Sequence, residues 1–250
     1  MTTVCTTRTP SAYETGRLAH RDDRLFRPGG LELTGHAISL ANLAAGARIV
    51  DLGCGAGDTV SFLRLLGFDA VGVDCAPEAS RTQITPTRIV ARAEALPLAS
   101  ASVHAVLAEC SVSLFADRDR AFAECARVLV DGGRLIISDL YARQAEAIAA
   151  VQKLHDSCVA GILVRAELEA SLAKTGFTID RWEDHSRALR ECAAHYLFEH
   201  GSLDGLWGCG RSESSQDTQA AMRAVRAGYF LLIATRRARS GANGDRSHER

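Results

Sequence analysis

The chain has 250 residues, 47% hydrophobic and 24% charged, with a formal net charge of −1. That length and balance suit one large soluble α/β domain and argue against bulk electrostatic attraction to nucleic acid. No apolar run approaches the roughly 18 residues of a membrane helix. The opening MTTVCTTRTP has no signal-peptide core, so a cytoplasmic location without membrane association is expected.

Residues 1–30 are polar and end in Arg27-Pro28-Gly29-Gly30, a turn signal. Leu31 to Ala45 has helical spacing and stops at Gly46; His36 falls on it as a surface or lid residue. Arg48 to Leu52 reads as the first strand, Val60 to Leu66 as a helix, Ala70 to Val73 as the second strand, and Ile89 to Ala91 as a short third. Val103 to Ala108 is the fourth strand. Arg118 to Val130 is a helix with Phe122, Cys125, Ala126 and Leu129 inward, closed by Asp131-Gly132-Gly133 as a glycine stop. Arg134 to Ser138 is the fifth strand, Arg165 to Lys174 a helix ending at Gly176, Phe177 to Trp182 the sixth strand, Ser186 to His200 a helical stretch before Gly201, and Gly228 to Thr235 the last strand. The basic, Ser/Gly-rich stretch 236–250 reads as a disordered tail. Such βα alternation predicts an α/β fold, a doubly wound sheet with helices on both faces.

The most informative unit is Ile49-Val-Asp-Leu-Gly-Cys-Gly-Ala-Gly57, followed by Val71-Gly-Val-Asp74. It is a strand, a glycine turn, a helix and a second strand ending in an acid. Glycines let the backbone turn tightly and let a ligand approach without meeting a Cβ. The first turn of a doubly wound sheet is where a nucleotide-like cofactor sits, and an acid at the tip of the second strand is placed for ribose hydroxyls. The spacing is G-x-G-x-G, followed by Asp58. Dinucleotide binders use G-x-G-x-x-G and hold a pyrophosphate on the helix N-terminus. An acid there repels phosphate and favours a cationic ligand, which disfavours the alternative of an NAD(P)-dependent oxidoreductase.

The string D-L-G-C-G-A-G resembles the cofactor motif of class I S-adenosylmethionine-dependent methyltransferases. The run A-R-V-L-V-D-G-G-R-L-I-I-S-D is similar to that family's passage of helix, G-G-x-L and strand. The resemblance spans about residues 31–183 and 228–235. It implies a Rossmann-like seven-stranded, mostly parallel sheet whose last strand is antiparallel. It also implies a single domain over residues 1–235, with 1–30 as a lid segment and insertions at 140–164 and 183–227 forming a substrate cap. For S-adenosylmethionine it implies Gly53, Gly55 and Gly57 along the methionine part, Asp51 on the amine and Asp74 on the ribose. Ala93 or Glu94, in A-E-A-L-P-L, would border the adenine, although Arg92 stands where the family has an acid. Cys75 and Glu109 complete the expected contact set, and Tyr13 and Arg17 are placed to close over the cofactor.

Methyl transfer by in-line displacement needs alignment more than a protein nucleophile. The methyl-facing edge of such a fold carries Glu109, Cys110, Ser111, Ser113, Asp139 and Tyr141. Cys158 lies in the first insertion and Cys209 in the second. Thiolates are soft ligands, and the pattern partly resembles arsenite methyltransferases, though the cysteines do not align motif by motif and no counterpart of that family's long cysteine-bearing C-terminal region is seen. Cys110, Cys158 and Cys209 are therefore candidates to hold a small-molecule or thiophilic metalloid acceptor of arsenic, selenium or tellurium. They serve equally well as ordinary core or loop residues. Glu109-Cys110-Ser111-Val112 replaces the N-P-P-Y-type tetrapeptide used on planar amines, which disfavours nucleic-acid bases. His155 and Cys158, with Cys192 and His195, have zinc-like spacing, but they lie in separate segments and are read as incidental, so no metal ligands are assigned. A non-enzymatic S-adenosylmethionine-binding regulator is the remaining alternative. The acceptor and the oligomeric state are open at this point.

Overall fold

The computed structural model describes residues 27–75, 88–154, 159–201, 203, 206 and 215–238. The helices are α1 (Gly30–Ala41), α2 (Asp58–Leu65), α3 (Arg118–Val128), α4 (Ile148–Gln152), α5 (Arg165–Lys174), α6 (Ser186–His200) and α7 (Ser215–Ala224). The strands are β1 (Arg48–Leu52), β2 (Asp69–Asp74), β3 (Arg88–Val90), β4 (Val103–Glu109), β5 (Leu129–Ala142), β6 (Leu163–Val164), β7 (Phe177–Asp184) and β8 (Gly228–Arg236). Seven strands lie in the order β3-β2-β1-β4-β5-β8-β7, and the two-residue β6 adds to β5. Strand β8 runs antiparallel to both β5 and β7, as the resemblance implies. Near-continuous apolar runs in β1, β4 and β8 fit a sheet covered on both faces. One core layer packs α3 and α5 against the sheet through Phe122, Leu168 and Phe177, and the other packs α1 and α2 through Ile38, Leu63 and Tyr229.

Three sequence expectations are revised. Helix α3 ends at Val128, before Asp131-Gly132-Gly133, and Leu129 is already extended. The backbone N–H groups of Ala101 and Ser102 donate to the carbonyls of Arg127 and Val128 at 2.9 and 2.8 Å, so the helix end is satisfied by a neighbouring loop and needs no glycine stop. Leu129 then pairs with Val103, which lengthens β5 at its start. Arg236, assigned by composition to the tail, closes β8: it is buried, pairs with Phe177 and reaches Asp131. The insertion between β7 and β8 contains α6, as its spacing predicts, and also α7. Among the described residues no helix is long and apolar enough to cross a membrane.

Candidate active site

Strands β1 and β2 run side by side, with Leu52 opposite Val73. Just past them, the N–H groups of Gly53 and Cys54 both donate to the Val73 carbonyl, at 2.7 and 3.2 Å, which folds the chain back sharply. Gly53 has φ +83°, and a Cβ there would stand 2.5 Å from the Cβ of Ser111. Only glycine fits, because both the conformation and the space exclude a side chain. Cys54 is a packing residue. Its sulfur fills the space a Cβ at Gly72 would need, and burial pushes its thiol up to about 12.

Asp51 and Asp74 flank this turn. Asp74 is anchored: its Oδ2 accepts from the Gly55 N–H at 2.8 Å, and Arg88 lies 3.7 Å from its Oδ1. Asp51 is buried, and its Oδ2 has no hydrogen-bond partner among the described residues. Burial, and next the Glu109 carboxylate, push Asp51 up to about 8, against the opposing pull of Arg27. An orphaned buried carboxylate oxygen beside an open glycine turn calls for a donor or cation from outside the chain. The same acidic surroundings oppose a pyrophosphate.

Glu109, at the end of β4, is occupied within the protein. Its Oε1 accepts from Thr34 at 3.0 Å, and its Oε2 accepts from Thr59 at 3.2 Å and pairs with Arg27. Both Arg27 and Glu109 side chains are buried. Glu109, expected among the cofactor contacts, thus holds the segment before α1 onto the floor of the site. Arg27, Thr34 and Thr59 escaped the sequence reading: two threonines and a turn arginine carry no motif of their own.

Ala93 and Glu94 follow β3 and are both buried. The Glu94 carboxylate accepts from the N–H groups of Ala116 at 2.9 Å and Asp117 at 3.3 Å, and pairs with Arg92 at 3.2 Å. Burial alone would raise its pKa, but backbone donors, including Asp117 and Ala116, together with Arg92, hold it below the usual value. Its side chain thus pins the loop after β4, which leaves backbone groups and Ala93 to face a ligand. Cys75, just beyond Asp74, is half-buried.

The methyl-facing edge opens into a cleft with about 510 Å³ of empty space, part of it open to solvent. Cys110 lines it, with φ +51°, and its sulfur lies 3.0 Å from the Tyr229 hydroxyl, which reaches Ser138 at 3.1 Å. Burial, and then Asp139, raise the Cys110 thiol well above its ordinary value, so it is protonated. Ser113 and Asp139 also line the cleft; Asp139 accepts from the Ser113 N–H and hydroxyl at 2.9 and 3.0 Å. Helix α6 contributes Leu189, Cys192 and Ala193 to the lining. Cys192, which the sequence reading set beside His195, therefore faces the same cleft as Cys110, with burial pushing its thiol up to about 11. His195 instead pairs with Glu199 at 3.0 Å. Ser111 donates to the Leu52 carbonyl at 2.8 Å. Tyr141 packs edge-on to Trp182 and donates to Asp184 at 2.7 Å, on the sheet face away from Tyr229. Cys158, Cys209, His155, Tyr13 and Arg17 lie outside the described residues.

Residues 50–137 match the family model described as a methyltransferase domain. The chain is 35% identical over 162 residues to an arsenite methyltransferase of Halobacterium salinarum, covering 57% of this chain and 40% of that protein. It is 28% identical over 175 residues to an arsenite methyltransferase of Aquipseudomonas alcaligenes, covering 60% of this chain and 50% of that protein. The chain thus spans half or less of the length of these relatives. The structure of Haemonchus contortus phosphoethanolamine N-methyltransferase 2 with phosphomonomethylethanolamine and S-adenosylhomocysteine superposes with a TM-score of 0.65 at 16% identity, covering 90% of this chain and 58% of that one. With the sheet order and the glycine turn above, the chain has a Rossmann-like fold shared with methyltransferases, and its residues 50–137 are similar to a methyltransferase domain.

Proposed function

We propose that the chain binds S-adenosylmethionine and transfers its methyl group to a small acceptor, with a thiophilic metalloid of the arsenic, selenium or tellurium kind as the favoured substrate class. The observation that carries the cofactor assignment is the orphaned Oδ2 of buried Asp51 beside the open glycine turn. When bound, S-adenosylmethionine supplies an electrophilic methyl on a sulfonium. Asp51 meets the cofactor's ammonium, the glycines let the backbone lie against its methionine part, Asp74 takes the ribose hydroxyls, and Ala93 with the Glu94 backbone borders the adenine. These residues bind and orient, and the acidic surroundings favour a ligand that carries an ammonium and a sulfonium.

The acceptor assignment is supported by two thiols, Cys110 and Cys192, that line one mostly apolar cleft. Cys158 and Cys209 remain candidates from the two cap insertions. A hydroxylated trivalent metalloid condenses with a protonated thiol as the S–H hydrogen leaves with one hydroxyl as water, so a raised thiol pKa does not oppose capture. Leu189 and Leu206 give the same space an apolar lining. No side chain is required as a nucleophile, since the acceptor's own lone pair serves.

The test is release of S-adenosylhomocysteine with arsenite, selenite, thiols and phenols as acceptors, for the native chain and for Cys110→Ser and Cys192→Ser. Each serine variant is expected to lose at least about tenfold in kcat/KM for the metalloid while keeping cofactor affinity. Unchanged metalloid turnover in both would remove the thiol reading. Cofactor binding without turnover on any acceptor would favour a regulatory role.

A further inference from the structure

His36, Glu183 and His185 meet at one point away from the cleft. His36 sits on α1, Glu183 near the end of edge strand β7, and His185 directly before α6. The Nε2 atoms of both imidazoles converge on the same carboxylate oxygen, Glu183 Oε2, at 2.8 Å from His36 and 3.1 Å from His185. All three donor atoms lie within 4.8 Å of one another. The rings meet edge to face with centroids 5.9 Å apart, so both nitrogens face one space without stacking.

We propose that these three side chains bind a single zinc-class divalent cation, and that the ion staples α1 to the β7–α6 corner. Two imidazole nitrogens and one carboxylate oxygen are a donor set that zinc accepts. Zinc holds such ligands at about 2.0–2.2 Å, which places tetrahedral ligand atoms roughly 3.3–3.5 Å apart. The two imidazole–carboxylate separations, 2.8 and 3.1 Å, reach that spacing by opening about 0.2–0.7 Å, and the two imidazole nitrogens already lie within 4.8 Å of each other. The three side chains are partly exposed, which gives the ion an entry path and leaves a fourth position for water.

The surroundings hold the ligands in place. Arg181 donates to the other carboxylate oxygen, Oε1, at 3.1 Å, which orients Glu183 to offer Oε2 alone. Its positive charge also weakens cation binding, and its half-exposed position limits that cost by solvent screening. The backbone of His185 is fixed by donation to the Tyr229 carbonyl at 2.7 Å. Ser186, next in the chain, donates its N–H to Asp184 at 2.8 Å, and its hydroxyl accepts from the Tyr229 N–H at 3.2 Å.

The consequence lies in what the three elements carry. Helix α1 follows Arg27 and bears Thr34, both engaged with Glu109 on the site floor. Helix α6 bears Leu189, Cys192 and Ala193, the outer wall of the cleft. An ion across His36, Glu183 and His185 ties the floor clamp to that wall and rigidifies the cap. This inference does not depend on the identity of the methyl acceptor.

The experiment uses the full chain, stripped with chelator and titrated with zinc alone. Calorimetry is expected to show one tight equivalent, with a rise in melting temperature. X-ray absorption should show a nitrogen and oxygen shell at about 2.0–2.2 Å and no sulfur near 2.3 Å. The double variant His36→Gln/His185→Gln should bind at least about a hundredfold more weakly, since losing a ligand costs more than losing a partner that orients one. Glu183→Gln, a smaller change at the same point, should also weaken binding, and circular dichroism should report an unaltered fold in both. Absence of a tight equivalent, a sulfur shell, or undiminished affinity in the double variant would each overturn the assignment.

Discussion

Asp51 is a carboxylate in the wrong ionisation state until something cationic arrives. Its pKa of about 8 stands well above the ordinary 3.8, chiefly through burial and then through Glu109. A group whose folded pKa is raised destabilises the fold when it ionises, so the native state loses stability as pH rises from about 4 through 8. An ammonium against the orphaned Oδ2 reverses this by favouring the charged form. Cofactor binding at pH 7 should therefore release up to about one proton from Asp51. Calorimetry in buffers of different ionisation enthalpy reads that number. Asp51→Asn has no proton to give and should show a smaller release with weaker binding. Equal release in the two proteins would mean that Asp51 does not meet the ammonium. Asp74 makes a useful contrast, because its Oδ2 already holds the turn through the Gly55 N–H and so does structural and binding work together.

The elements differ in how far sequence foretold them. Strands β1, β2, β4 and β8 stood out as apolar runs bounded by turns, and α5 and α6 as periodic stretches with a stop. The end of α3 did not, because the carbonyls of Arg127 and Val128 are satisfied by Ala101 and Ser102, residues more than twenty positions earlier in the chain. A glycine pair close by drew the boundary too late. Helix α7 carries its apolar residues among Gln, Asp and Arg, and Ala221, Met222 and Val225 become a core only against α4 and its neighbours. The segment before α1 shows the same limit with more consequence. Arg27 reads as part of a turn, yet its side chain joins Glu109, Thr34 and Thr59 in one buried network. Arg27→Ala strands a buried carboxylate, and a broken buried pair costs about 3–5 kcal/mol. Arg27→Ala/Glu109→Gln leaves no charge behind and should recover part of that loss. Chemical denaturation of the four proteins gives the coupling energy. Additive losses would show that Arg27 and Glu109 do not act as a pair.

At the scale of the whole molecule, the cofactor half of the site is local and the acceptor half is not. Asp51, Gly53, Gly55, Gly57 and Asp74, the residues proposed for the cofactor, fall within a single βαβ unit, where spacing and the family resemblance together expose them. Cys110 and Cys192, the thiols proposed for the acceptor, are 82 positions apart in numbering and line one cleft only because α6 packs on β8 beside it. Periodicity is silent about such arrangements, which is why the spacing of Cys192 and His195 gave no sign that Cys192 lines the same cleft as Cys110. The division has a thermodynamic counterpart that separates the rival cofactors. A ligand that binds only the folded state stabilises it by about 2.7 kcal/mol at a hundred times its dissociation constant. For a chain of this length each kcal/mol raises the melting temperature by roughly 2–4 °C, so saturating S-adenosylhomocysteine should raise it by about 5–11 °C. NADH at the same concentration should leave it unmoved, because Asp58 at the start of α2 opposes its pyrophosphate. Asp51→Asn should diminish the response to S-adenosylhomocysteine. A shift with NADH alone would transfer the glycine turn to a dinucleotide and take the methyl-transfer reading with it.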